Sequence, residues 1–174
     1  GVANAESAPR MVETMGWRML PLFASRLLVA TPGRHGFAAH PVNRSLLDSN
    51  TIQQMLPQEV PVSVNGHGAT WDSDHLRWRL GRPGAKYVVH ERDDVLLVST
   101  TTTVRRLRVA VLLKVLPRRV QTDPIPSGPL AAALATHHCT PLVLHWGANP
   151  SVRFRKISIP HRLQPSPLVL VVHP

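Results

Sequence analysis

The stretch from Arg108 to Pro117, RVAVLLKVLP, decides how this chain is read. Apolar side chains fill nearly every position, and Val109, Val111 and Val115 are β-branched, which suits a strand. A strand with one wet face alternates apolar and polar residues, whereas one apolar on both faces belongs in the middle of a covered sheet. Two further strand-like runs precede it, Lys86 to Glu91 and Val95 to Val104. Asp93 and Asp94 separate the first two runs, and Arg105 and Arg106 separate the second from Leu107 to Leu116, at the places where hairpin turns are required. An antiparallel meander is therefore predicted, with the Ser99 to Thr103 run inside its second strand.

Beyond the meander, Pro124 to Cys139 predicts a helix that carries Leu130, Ala131, Leu134 and Ala135 on one face, and Pro141 to Trp146 predicts a strand. A strand, a crossover helix and a second strand make parallel neighbours, so Pro141 to Trp146 is expected beside Leu107 to Leu116. Extended runs at Phe154 to Ile159 and Leu168 to His173 close the sequence. On the N-terminal side, Thr70 is the expected cap of a helix with Asp72 and Asp74 in its first turn and with Trp71, His75, Leu76 and Trp78 along it. The segment from Pro41 to Gly68 reads as a connector with a short helix holding Leu46, Leu47 and Ile52. Pro21 to Arg34, with Leu22, Phe23, Leu27, Leu28 and Val29, fits a strand or a helix that TPGRHG interrupts. Pro9 to Gly16 spaces Met11, Val12 and Met15 as a helix does, with Ser7 as N-cap and Gly16 as the stop. The fold class is thus α/β (α+β): a mixed, mainly antiparallel sheet with one parallel strand pair and flanking helices.

Composition narrows the function classes. Twenty basic residues against 10 acidic ones give a formal charge of +10, carried mostly by arginine, and a field of that sign attracts phosphates on nucleic acid, lipid or a nucleotide-bearing cofactor. The single cysteine, Cys139, rules out an internal disulfide framework and fits a reducing compartment, so cytoplasm is the expected location. The longest apolar runs, Leu27 to Ala30 and Leu168 to Val172, fall far short of the roughly 20 residues needed to span a bilayer. Gly1 and Val2 open the chain without an initiator methionine or an apolar signal core, as a processed product or excised fragment would. Cys139 beside His137 and His138 does not supply the paired ligands of a zinc site; a helix end with a buried thiol is expected and no metal. Trp71, Trp78 and Trp146 are expected to fill the core, with base stacking in a nucleic-acid binder as the alternative, although no RNP, helix-turn-helix or zinc-finger pattern accompanies them.

An antiparallel meander, a crossover helix, a parallel strand and a closing strand pair follow one another as in the GNAT acetyltransferase fold. HLRWRLGRPGAKYVVHERDD resembles the helix and Tyr-bearing strand that lead into the sheet of large two-module GNAT proteins, and LHWGANP resembles the stretch where the parallel strand splays. GVANAESAPRMVETMGW, with Asn4, Ser7, Gly16 and Trp17, is similar to the closing strand and helix of a first such module. The resemblance implies residues 1–34 as the tail of a preceding module, 35–69 as a connector and 70–174 as a GNAT-like module.

That resemblance implies acyl transfer from acetyl-CoA or another acyl-CoA to a primary amine, or a degenerate second module of such an enzyme. Its implied site residues are Arg118, Arg119 and Asn149 for the cofactor, with the two arginines where its phosphates would lie, and His145 as general base at the strand end. A solvated basic turn and a hydrogen-bonded structural histidine are the plainer readings of the same residues. Two departures weigh against activity: PRRVQTDPIPSGP has one glycine, Gly128, and prolines at 124, 126 and 129 where a glycine-rich phosphate loop belongs, and Val12 stands where the family places a tyrosine acid. The alternatives are a non-catalytic structural or interaction domain, with a second copy or a missing N-terminal module as partner, and a basic nucleic-acid-binding protein.

Overall fold

A computed structural model describes residues 2–3, 7–19, 25–30, 33–56, 71–104, 106–119, 122–147, 149–155, 157–158 and 169–172. In chain order the first elements are β1 (Val2–Ala3), α1 (Ser7–Met15), β2 (Arg18–Met19), β3 (Ser25–Val29), β4 (Ala38–Pro41), α2 (Arg44–Asp48), α3 (Thr51–Met55) and α4 (Ser73–Leu80). There follow β5 (Val88–Arg92), β6 (Val95–Val104), β7 (Leu107–Pro117), β8 (Ile125–Pro126), α5 (Ser127–His138), β9 (Leu142–Trp146), β10 (Val152–Arg153), β11 (Ile157–Ser158) and β12 (Val169–Val172).

Strand β7 takes the central place its apolar run requires, in a seven-stranded sheet ordered β11-β3-β9-β7-β6-β5-β4. Only β7 and β9 run parallel in this sheet, joined through α5, and every other neighbouring pair is antiparallel. Both hairpin turns fall where expected, with Arg106 at φ 70° in the second; Arg105 lies outside the described residues. A bulge interrupts the β6–β7 ladder, because Val98 pairs with Lys114 and Ser99 with Leu112, leaving Leu113 as the extra residue.

The pleat sends alternate side chains to two cores. On one face Val95, Leu97, Ala110, Leu112, Val115 and Val143 pack with Leu130, Ala131, Leu134 and Ala135 of α5. On the other, Val89, Leu96, Val98 and Leu116 pack with Ile52, Met55 and Leu56 from α3 and its end and with Leu76 and Leu80 of α4. The segment read as a connector therefore supplies, in its described part, the edge strand β4 and much of one core; the Pro57 to Thr70 stretch lies outside the described residues. The ambiguous run resolves into β3, whose Leu27 and Leu28 pair across from Leu144 and Val143, while Leu22 and Phe23 lie outside the described residues.

A smaller three-stranded sheet, β1-β12-β2, carries α1, which begins at Ser7 and ends before Gly16 at φ 67°. The left-handed conformation there is one that glycine adopts at little cost, so the stop was legible. Residues 159–168 and Asn4 lie outside the described residues.

Two local expectations need correction. Asp72, not Thr70, caps α4: its Oδ1 accepts the His75 backbone N–H at 2.7 Å, and the aspartate's extended backbone (φ −96°, ψ 175°) suits the cap. Asp72→Ala is expected to lower Tm by about 2–4 °C, checked by thermal melts against Asp74→Ala, which leaves the cap intact. The three tryptophans also differ: Trp71 packs on the α4-side core and Trp146 is half-buried, but Trp78 is 73% exposed.

Candidate functional site

The parallel ladder is short. It pairs Ala110, Val111 and Leu112 with Val143, Leu144 and His145, and although β7 continues to Pro117, no pairing with β9 follows. The bulge at Leu113 begins where that pairing ends. Beyond this point the chain fills the gap with its own groups. Asn149 donates from Nδ2 to the Val115 carbonyl at 3.4 Å and accepts the Ser151 N–H at 3.0 Å through Oδ1. Ser151 in turn accepts the Ile125 N–H at 2.9 Å, and β8 pairs with β10.

His145 is buried at the same point. Its Nδ1 lies 3.1 Å from the Leu112 carbonyl, which makes Nδ1 the protonated nitrogen of the neutral ring. The ring stacks on Phe154 at 4.7 Å and 15°, and Arg26 covers Phe154 at 4.9 Å while donating to the Gly147 carbonyl. Burial pushes the His145 pKa down, and Arg26 and Lys114 add to that against the opposing hydrogen bond that the ring donates to the Leu112 carbonyl. A general base needs its free nitrogen to meet a substrate; Nε2 here is buried, with no partner among the described residues.

Arg118 is occupied elsewhere. Its guanidinium donates to Glu91 Oε1 at 2.8 Å, to the Arg92 carbonyl at 3.4 Å and to the Gln54 carbonyl at 3.2 Å. Those acceptors belong to β5 and α3, and none to α5, whose N-terminus a pyrophosphate would need. Arg119 is exposed. The four residues implied by the resemblance thus divide: His145 and Asn149 lie at the β7–β9 divergence, Arg118 is held against β5, and Arg119 is exposed.

Sequence reasoning missed a buried chain of three side chains under the C-terminal end of α5. His90 Nε2 and His138 Nε2 each lie 2.8 Å from Ser99 Oγ. A hydroxyl has one proton, so it accepts from one imidazole and donates to the other. The buried His90 Nδ1 has no partner, and a bare nitrogen there costs less than an unpaired N–H, so His90 donates through Nε2 and Ser99 donates to His138. Burial drives the His90 pKa down to about 3 and that of His138 to about 4, with His137 adding to both. Since His90 and Ser99 are both 0% exposed, this is a structural network and not a nucleophile with its base. Among the described residues no group of three or more His, Cys, Asp or Glu is placed to hold a metal ion. Cys139 ends α5 in the left-handed region at φ 51°, as a helix end should, but it is exposed, not buried.

A chamber of about 490 Å³ opens on the opposite face of the sheet, between α4 and the β6–β7 bulge. Leu76, Leu80 and Val98 line it with apolar groups, Trp71, Tyr87 and Leu113 flank it, and Arg79, Arg82 and Lys114 bring cations to it. No acidic side chain is among its described lining residues. Lys114 sits 4.7 Å over the Trp71 ring, and burial lowers its pKa. Bulges and turns leave weak periodicity, and a cavity between elements leaves none, so nothing local in the sequence announced it.

Among the described residues no helix is long and apolar enough to cross a membrane. No protein-family model matches the chain, and no curated protein matches it.

Proposed function

We propose that this chain is a degenerate module of GNAT-type acyltransferase architecture, kept as a structural or interaction domain and not as a working N-acyltransferase. The observation that carries this reading is the state of the β7–β9 divergence. In the resembled enzymes the splay holds acyl-CoA; here Asn149 takes the Val115 carbonyl and the His145–Phe154–Arg26 stack occupies the adjoining space. Three further features support it. Arg118 is committed to Glu91, Pro126 and Pro129 remove donors from the start of α5, and the chamber on the other face is cationic, which disfavours a protonated amine acceptor.

Active acyl transfer remains the second reading, favoured by the short parallel ladder beside a bulge, which is the arrangement a splayed cofactor cleft needs. Isothermal titration of the chain with acetyl-CoA separates the two. The degenerate module gives no saturable heat up to about 1 mM ligand, an affinity weaker than about 4 kcal/mol. Micromolar binding restores the acyltransferase reading.

A further inference from the structure

We propose that the chamber between α4 and the β6–β7 bulge is a binding site for a small organic anion with a flat apolar body. Its volume of about 490 Å³ lies in the range of small-molecule sites, which run roughly 300–1,000 Å³ and combine apolar walls with a few converging polar groups. The walls here are Leu76, Leu80 and Leu113, with two aromatic rings, Trp71 and Tyr87. Charge selects the ligand's sign: Arg79, Arg82 and Lys114 face the space together, and no carboxylate lines it among the described residues.

These cations are not committed elsewhere. Arg77, on the same helix, pairs with Asp74, and Arg92 with Asp94, whereas Arg79 and Arg82 make no ion pair among the described residues. Lys114 is held against the Trp71 ring, and a half-buried ammonium without a counter-charge is poorly solvated. An arriving anion supplies the missing charge and reverses the pressure that burial puts on the Lys114 proton. The bulge builds the site, since the extra residue Leu113 stands 42% exposed at its rim while Lys114 and Val98 keep their pairing beneath. A carboxylate and a phosphate monoester offer the same anionic oxygens, and the test separates them.

The experiment is a titration of the chain with four naphthalene probes of one shape: 2-naphthoate, 2-naphthyl phosphate, 2-naphthalenemethanol and 2-naphthylmethylamine, followed by calorimetry. One-to-one binding of at least one anion is expected, about ten-fold or more tighter than the alcohol, with the ammonium weakest. The tighter of the two anions identifies the headgroup. Lys114→Met is expected to weaken the anion about ten-fold and leave the alcohol unchanged, and the exposed Arg82→Gln, which touches neither core, provides the same readout should Lys114→Met fail to fold. Equal binding of anion, alcohol and ammonium, no saturable binding of either anion, or undiminished anion binding by Arg82→Gln and a folded Lys114→Met, would overturn the proposal. None of these outcomes depends on whether acetyl-CoA binds, so the two readings fail separately.

Discussion

Lowering the pH from 7 to 4 is expected to remove much of this protein's stability, beginning before its carboxylates start to protonate. His90 and His138 are buried as neutral rings with pKa values of about 3 and about 4, against 6.5 for a free imidazole. Between 6.5 and those values the unfolded chain binds more protons than the folded one, so stability rises with pH through that window. The contribution is complete above pH 6.5 and is lost on the way down. Inside that window each histidine removes at most about 1.4 kcal/mol per pH unit, less for His138, whose surroundings are partly solvated, so the pair removes several kcal/mol, comparable with the low end of a typical total of about 5–15 kcal/mol. The physical cause is burial, to which His137 adds for both rings: a proton on His90 Nδ1 would sit in the core with no acceptor. Asp94, whose pKa is held down by its hydrogen bond from Arg92, adds a further loss only below about pH 4. Urea denaturation at half-unit pH steps measures the slope. His90→Leu, which swaps a buried ring for an apolar group, should visibly flatten the slope, with His138 and His145 supplying what remains. An unchanged slope in that variant would remove the histidines from the account.

Leu134→Ala is expected to cost about 2–5 kcal/mol. Leu134 is 0% exposed and belongs to the cluster that joins α5 to Ala110, Leu112 and Val143 on the central strands. Alanine is the better helix former, so the loss isolates packing from propensity. The neighbouring wall of Ala131, Ala133 and Ala135 is already small and has no methylenes with which to close the hole. Trp78→Ala, on the 73% exposed face of α4, removes a larger side chain and should change stability by less than about 0.5 kcal/mol. Chemical denaturation of both variants against the parent checks the pair; similar losses from the two would mean that α5 does not bury the sheet as described.

Much of the site's character was out of reach of local reading. His145 was legible as a strand-end histidine, because Pro141 to Trp146 is an apolar run after a helix, but its burial depends on Phe154 and Arg26, neither adjacent to it in sequence. Arg118 looked free because its own neighbours are Pro117 and Arg119; its acceptor, Glu91, stands two strands away across β6. The Ser99 to Thr103 run reads as strand and nothing else until α5 lays His138 over it.

The sequence by itself determined the meander, the crossover helix, the parallel partner strand and the central position of RVAVLLKVLP, because strand and helix periods and turn residues act over a few residues and are written into the chain. It also determined the +10 charge and, through its prolines, the poverty of the loop before α5 in backbone donors. Only the tertiary structure decided that the β3 and β4 segments join the same sheet, that Leu113 is the bulged residue, that the β7–β9 divergence is occupied by Asn149, and that three cations share one chamber. Each of these rests on pairing or packing between residues far apart in the chain, where sheet order and helix placement choose the neighbours, and composition and period carry no record of that choice.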